Sequence, residues 1–188
     1  MVVPNYALCG PQSATTIEDI AWQCAQSVVW VLRNIAQYGG DPAHITVIGH
    51  SAGGHLAAML AACDWQKLAS DLPTCAVQSA VGISGLYDLS PIMHAPYLQN
   101  DLKLTPEQVQ RCSPAWFKAP RTRFVAVCGG AESDEFLRQN ALIKKAWGKR
   151  AVAVCEALGQ FNHFSVLESL LTPGQRLHAL ARAEIFGV

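Results

Sequence analysis

The sequence predicts an α/β fold in which a mostly parallel sheet carries helices on both faces. Short apolar runs rich in β-branched residues alternate with amphipathic stretches at helical spacing along the whole chain. The strand-like runs are apolar throughout, as strands buried on both faces are. A Gly49-x-Ser51-x-Gly53 motif stands where one such run gives way to a helix.

The elements follow in order. Val2 to Leu8 reads as a first strand. Thr16-x-x-Asp19 has the form of a capping box opening a helix. Ile20, Cys24, Val28, Val31, Leu32 and Ile35 then recur along one helical face, until Tyr38-Gly39-Gly40-Asp41-Pro42 stops the helix. Ile45 to Ile48 is a strand, and His55 to Ala62, rich in Leu, Ala and Met, is a buried helix. Ala76 to Ile83 is the next strand. Pro91 to Pro120, with its scattered prolines, reads as an excursion over the top of the sheet holding one helix near Pro106 to Arg111. Arg123 to Cys128 is a strand, Asp134 to Trp147 a helix, Ala151 to Cys155 a strand and Gly159 to His163 a loop. Helices from about Phe164 to Leu171 and Pro173 to Ile185 close the chain.

Composition narrows the function. The chain has 188 residues, 51% of them hydrophobic, which suits one domain with a real core. Its 14 basic and 14 acidic side chains give zero formal charge, so no field of one sign attracts nucleic acid or an anionic membrane. The 7 cysteines include no C-x-x-C pair and read as free thiols in a reducing compartment. Residues 1–6 form no signal peptide, and no apolar run is long enough to span a bilayer. The expected location is the cytoplasm. No metal and no cofactor are expected, because neither H-E-x-x-H nor a G-x-G-x-x-G after a strand occurs.

The chemistry centres on Ser51. A serine on a sharp strand-to-helix turn holds its Oγ clear of the backbone, and flanking glycines let strand and helix approach. The Ala52 N–H, at the helix N-terminus, is the candidate oxyanion donor.

The residues Tyr38 to Pro42 and Gly49-His50-Ser51-Ala52-Gly53-Gly54-His55-Leu56-Ala57 resemble the α/β-hydrolases of the esterase/lipase group that includes the kynurenine formamidases (arylformamidases). Gly85-Leu86-Tyr87-Asp88-Leu89, Ser113-Pro114 and Asn162-His163-Phe164 continue the match. Glu132-Ser133-x-Glu135-Phe136-x-Arg138-Gln139 points to the formamidase-like branch. The resemblance implies an α/β-hydrolase fold and a Ser, acid, His triad in that chain order. His163 lies in a loop after a strand and after the acid candidates, and is the expected base. His44 and His94 precede the acid, His178 falls on a polar helix face, and the elbow aims His50 and His55 away from Oγ. Glu132 stands where the resembling family carries its acid, usually an Asp. Asp134 is the alternative, and Glu135 reads as a helix N-terminal carboxylate. Asp88 reads as a turn former.

Relatives carry further strands upstream, one leading into a His-Gly-Gly loop that supplies oxyanion donors. This sequence has no such motif. The expectation is one partial domain, 1–188, lacking the N-terminal strands, with a gap in the sheet or a new pairing in their place. The resemblance implies a serine hydrolase acting on a small-molecule formamide or ester, with N-formylkynurenine as the formamidase substrate. A carboxylesterase is the alternative, and an inactive hydrolase-like binding domain is the alternative of another class. Oligomeric state stays open, a homodimer included.

Overall fold

The structure, a computed structural model, describes residues 1–187. Helix α1 (Ile17–Asn34) opens on the predicted box: Thr16 Oγ1 accepts from the Asp19 N–H, and the Asp19 carboxylate accepts from the Thr16 N–H. A 3-10 turn, 35–38, ends at Gly39 in the left-handed region (φ +79°). Strand β1 (Thr46–His50) runs straight into Ser51, and α2 (Ala52–Ala61) starts at the next residue. Both reach closer to Ser51 than the apolar periodicity indicates, because Gly49, His50 and Gly53 carry no hydrophobic signal although they belong to the two elements.

A short turn α3 (Trp65–Leu68) leads to β2 (Ser79–Ile83), every residue of which is buried. The excursion holds three short helices, α4 (Ser90–Met93), α5 (Gln99–Leu102) and α6 (Pro106–Cys112), and the chain returns through β3 (Arg123–Gly129). Helix α7 (Asp134–Ala151) is broken at Gly148 (φ +73°), directly after the predicted end at Trp147. Strand β4 is Val154–Leu158 and not Ala151 to Cys155. Ala151 and Val152 are buried against the core as the chain leaves α7, and the ladder to β3 begins only at Val154 opposite Val125. Helices α8 (Val166–Leu171) and α9 (Arg176–Phe186) complete the described chain.

The four strands pair in parallel in the order β1-β2-β3-β4. Alternate residues of the buried strands serve two cores. Ala80, Phe124 and Ala126 face α1, α2 and α7, packing with Val28, Leu56, Ala58 and Trp147. Val81, Ile83, Val125 and Val127 face α8 and α9, packing with Val166, Leu177 and Leu180. Each such Val, Ile or Leu contributes about 1.5–3 kcal/mol of burial. A parallel sheet covered on both faces places all four strand C-termini at one edge, where the site lies.

The expected first strand is absent. Residues 1–8 are exposed and make no ladder, and β1 is an outer strand of the sheet. A groove of about 460 Å3 lies between Met1–Tyr6 and the open edge of β1. An extended segment becomes a strand only when a neighbour takes its N–H and C=O groups, and residues 1–8 do not reach one. The Ala7 N–H is instead taken by the Gln23 side chain.

Candidate active site

The end of each strand delivers one polar residue to a common point. Ser51 follows β1, Ser84 follows β2, Glu132 lies three residues beyond β3, and His163 lies in the loop after β4. Ser51 has φ +57° and ψ −118°, a backbone state that L-residues avoid and that costs of order 1–3 kcal/mol. The state is held in place by the Ser51 N–H donating to Ile83 O at 2.8 Å. It also depends on close approach: a Cβ at Gly49 would overlap the Gly53 backbone, and one at Gly54 would lie 2.8 Å from the Gly85 Cα.

The structure brings Ser51, His163 and Glu132 into one hydrogen-bonded chain. His163 Nε2 lies 3.1 Å from Ser51 Oγ, and Nδ1 lies 2.8 Å from Glu132 Oε2. An ionised carboxylate only accepts, so in the neutral ring the proton sits on Nδ1. Nε2 is then free to accept from the Ser51 hydroxyl. The other carboxylate oxygen, Oε1, accepts from the Gly129 N–H at 2.6 Å and from Ser84 Oγ at 2.5 Å. These donors compensate a side chain that is entirely buried. Glutamate reaches the ring because Glu132 sits back in a tight turn, its N–H donating to Gly129 O.

Asp134 is not brought to the site. It is exposed as the first residue of α7, and His163 Nδ1 is occupied by Glu132. Glu135 is bound to Arg138 at 2.7 and 2.8 Å, and that guanidinium holds its carboxyl below the usual range. Asp88 is the expected turn former, accepting from the Ser90 N–H and hydroxyl. Burial alone would raise its carboxyl, but the Ser90 bonds and Arg138 together outweigh burial and lower it. Ala52 is exposed at the start of α2, where first-turn N–H groups have no acceptor within the helix.

The histidines flanking Ser51 both have structural partners. His55 is buried, its Nε2 donating to Cys112 O at 2.7 Å, and burial lowers its pKa. His50 stacks on His163 with ring centroids 4.6 Å apart and donates from Nε2 to the His163 carbonyl at 2.8 Å. Burial lowers the pKa of His50, outweighing the bond to the His163 carbonyl, which acts in the opposite direction. Phe136 covers His163 at 4.4 Å between centroids, and the exposed Phe164 meets it edge-on at 5.4 Å.

The sequence reading missed Ser84, His50 and Phe136 as site residues. Phe136 lay inside the quoted Glu-Ser-x-Glu-Phe-x-Arg-Gln segment, whose position after a strand was the available signal. Ser84 carried a weaker one, a serine at the tip of a strand whose last residues, Ala80 to Ile83, are apolar. The same segment also supplies Gln139, which is fully buried and accepts from the Tyr87 and Asp88 N–H groups.

The fold agrees with what the chain resembles among known proteins. A family model, BD-FAE, matches residues 1–123. The chain belongs to the BD-FAE family. This BD-FAE chain is 33% identical over 156 residues to kynurenine formamidase of Danio rerio, covering 79% of the chain and 50% of that protein. It therefore spans about half the length of that relative. Over 68 residues it is 44% identical to Esterase LipQ of Mycobacterium tuberculosis, covering 35% of the chain and 16% of LipQ. Among solved structures, a Silicibacter sp. protein described as a thioesterase superposes with a TM-score of 0.75 at 27% identity, covering 94% of this chain and 61% of that one. The thermophilic esterase Est2 of Thermogutta terrifontis superposes at 0.62 and 20% identity, covering 93% of this chain and 67% of that one. The BD-FAE chain thus has the α/β-hydrolase fold. Among its described residues no group of three or more His, Cys, Asp or Glu is placed to hold a metal, and no helix is long and apolar enough to cross a membrane.

Proposed function

We propose that this chain carries the catalytic machinery of a serine hydrolase that cleaves a small formamide or ester. One observation carries the reading: the unbroken hydrogen-bond sequence from Ser51 Oγ through His163 to Glu132, with distances of 3.1 and 2.8 Å. Ser51 Oγ attacks the carbonyl carbon as its proton passes to His163 Nε2. Glu132, bonded to Nδ1, orients the ring and stabilises the imidazolium. The Ala52 N–H donates to the developing oxyanion. The protonated ring then gives its proton to the leaving amine or alcohol. A water activated by His163 releases the acyl group, which is formate for a formamide.

A formamide of the N-formylkynurenine type is the preferred substrate in this reading, and tryptophan catabolism in the cytoplasm is its setting. Its support is the likeness to kynurenine formamidase over four fifths of the chain. The likeness to LipQ around the elbow supports the second reading, a carboxylesterase. A hydrolase-like binding domain is the reading of another class.

Fluorophosphonate labelling separates catalysis from binding. The reading expects one adduct, on Ser51, that disappears in His163→Ala. A folded protein that takes no label refutes it. Rates on N-formylkynurenine and on a short-chain phenyl ester then divide formamidase from esterase, and a formamide rate equal to buffer removes the first.

A further inference from the structure

We infer that Ser84 is the positioning residue that aims the Glu132 carboxylate at His163, a role that rests on the triad proposed above. Three strands supply its three members, and the fourth, β2, supplies Ser84. The residue is 1% exposed and has φ +50°. Serine in that conformation is strained. Glycine would adopt it at no steric cost, and glycine stands at the very next position. What serine brings and glycine cannot is the hydroxyl, and the hydroxyl is spent on Glu132 Oε1 at 2.5 Å.

The backbone around Ser84 ties the same parts together. Its N–H donates to Val127 O at 2.6 Å, fixing the turn to the strand that leads to Glu132. The preceding carbonyl, Ile83 O, accepts from the Ser51 N–H at 2.8 Å. Two consecutive residues therefore hold the nucleophile turn on one side and the acid on the other. Glutamate has one more rotatable bond than aspartate. The Gly129 N–H holds Oε1 from one strand only. A second donor on the same oxygen, from a different strand, fixes the plane and leaves Oε2 on His163 Nδ1.

The test compares Ser84→Gly, which removes the hydroxyl while suiting the backbone, with Ser84→Ala and the unaltered chain. Three quantities are read: kcat and KM with the ester, the rate of fluorophosphonate labelling across pH, and the low-field NMR resonance of the His163 Nδ1 proton. The positioning role expects Ser84→Gly to stay folded, to keep KM, and to lose about 10- to 100-fold in kcat, the loss of one charge-assisted hydrogen bond. With the carboxylate no longer aimed at Nδ1 it holds the protonated ring less tightly, so the acidic limb of the labelling profile moves to lower pH. His50, stacked on the ring, and the Cys128 thiol beside Glu132 also face this pair, and the variant leaves both in place. The Nδ1 resonance shifts or broadens. A packing role for Ser84 lowers stability in Ser84→Ala but moves neither the limb nor the resonance in Ser84→Gly, and that result overturns the inference. If the unaltered chain takes no label, the hydrolase reading fails. The resonance still decides the positioning of Glu132: unchanged in Ser84→Gly refutes it, displaced upholds it.

Discussion

Glu132 and His163 meet through a 2.8 Å bond in which the carboxylate side chain is fully shielded and the ring is 23% exposed. The acid is thus buried among its donors, while the base keeps one edge open to a substrate. This arrangement makes Glu132 sensitive to length as well as charge. In Glu132→Asp the carboxylate is one methylene shorter and cannot hold the Gly129 N–H, Ser84 Oγ and His163 together. A fall in kcat of about 10- to 100-fold is expected, with the Ser51 adduct still forming slowly. In Glu132→Gln the amide must present NH2 to either His163 or the Gly129 and Ser84 donors, and the fall is larger, about 10³- to 10⁴-fold. The rate of fluorophosphonate labelling checks both. Equal rates in the parent and Glu132→Gln would show that Ser51 reacts without the acid.

The elbow glycines are not equivalent. A Cβ at Gly54 meets the Gly85 Cα at 2.8 Å and Ile83 O at 3.0 Å, both backbone. A Cβ at Gly53 meets nothing within 4 Å. Gly54→Ala is expected to destabilise by about 1–3 kcal/mol, because backbone cannot step aside as a side chain can. Gly53→Ala replaces glycine by alanine inside α2 and should be neutral or raise Tm, alanine being favoured there by about 1 kcal/mol. Thermal melts of the two variants test the contrast, and similar losses in both would contradict it.

This contrast also marks what the sequence made legible. The Gly49-x-Ser51-x-Gly53 spacing located the turn, because a strand, a strained residue and a helix are consecutive in the chain. His163 and Glu132 were accessible through chain order and loop position. Ser84 was not, since its meaning arises only when β2 lies between β1 and β3, a fact of sheet order and not of spacing. Residues 2–8 misled for a related reason: their composition suits a strand, but a strand needs a partner, and none lies beside them. The start of β4 was misplaced because Ala151 and Val152 are as apolar and buried as strand residues while belonging to the exit from α7.

Two histidines set a pH dependence of stability. Burial holds the pKa of His55 below its ordinary value, and burial does the same for His50 against the opposing bond to the His163 carbonyl. Each is therefore neutral in the fold at pH values where the unfolded chain already binds a proton. A lowered pKa contributes stability that is fully present above about 6.5, the unfolded value, and is lost as pH falls below it. The loss reaches at most about 1.4 kcal/mol per pH unit for each ring. His55→Gln keeps an N–H donor for Cys112 O but cannot titrate. Between pH 7 and 5 the melting temperature of the parent should fall more steeply than that of His55→Gln. Parallel curves would mean that His55 is solvated enough to protonate in the fold.

Gln139 gives the largest stability prediction. It is fully buried in α7, accepts from the Tyr87 N–H at 2.7 Å and the Asp88 N–H at 2.9 Å, and donates to Asp88 O and Glu135 at 2.8 and 2.7 Å. One side chain thereby satisfies the backbone of the turn after β2, the turn that begins at Ser84. Gln139→Leu keeps similar bulk and leaves the buried Tyr87 N–H and the half-buried Asp88 N–H and carbonyl without partners. A buried orphan costs about 1–3 kcal/mol and a half-buried one less, so a loss of roughly 2–5 kcal/mol is expected in urea unfolding. Gln139→Glu keeps both acceptor bonds but places a second carboxylate beside Glu135 and loses the donor to Asp88 O. It should fall between the parent and the leucine variant. If leucine instead proves no worse than glutamate, the Tyr87 and Asp88 N–H groups find other acceptors, and α7 does not hold that turn in place.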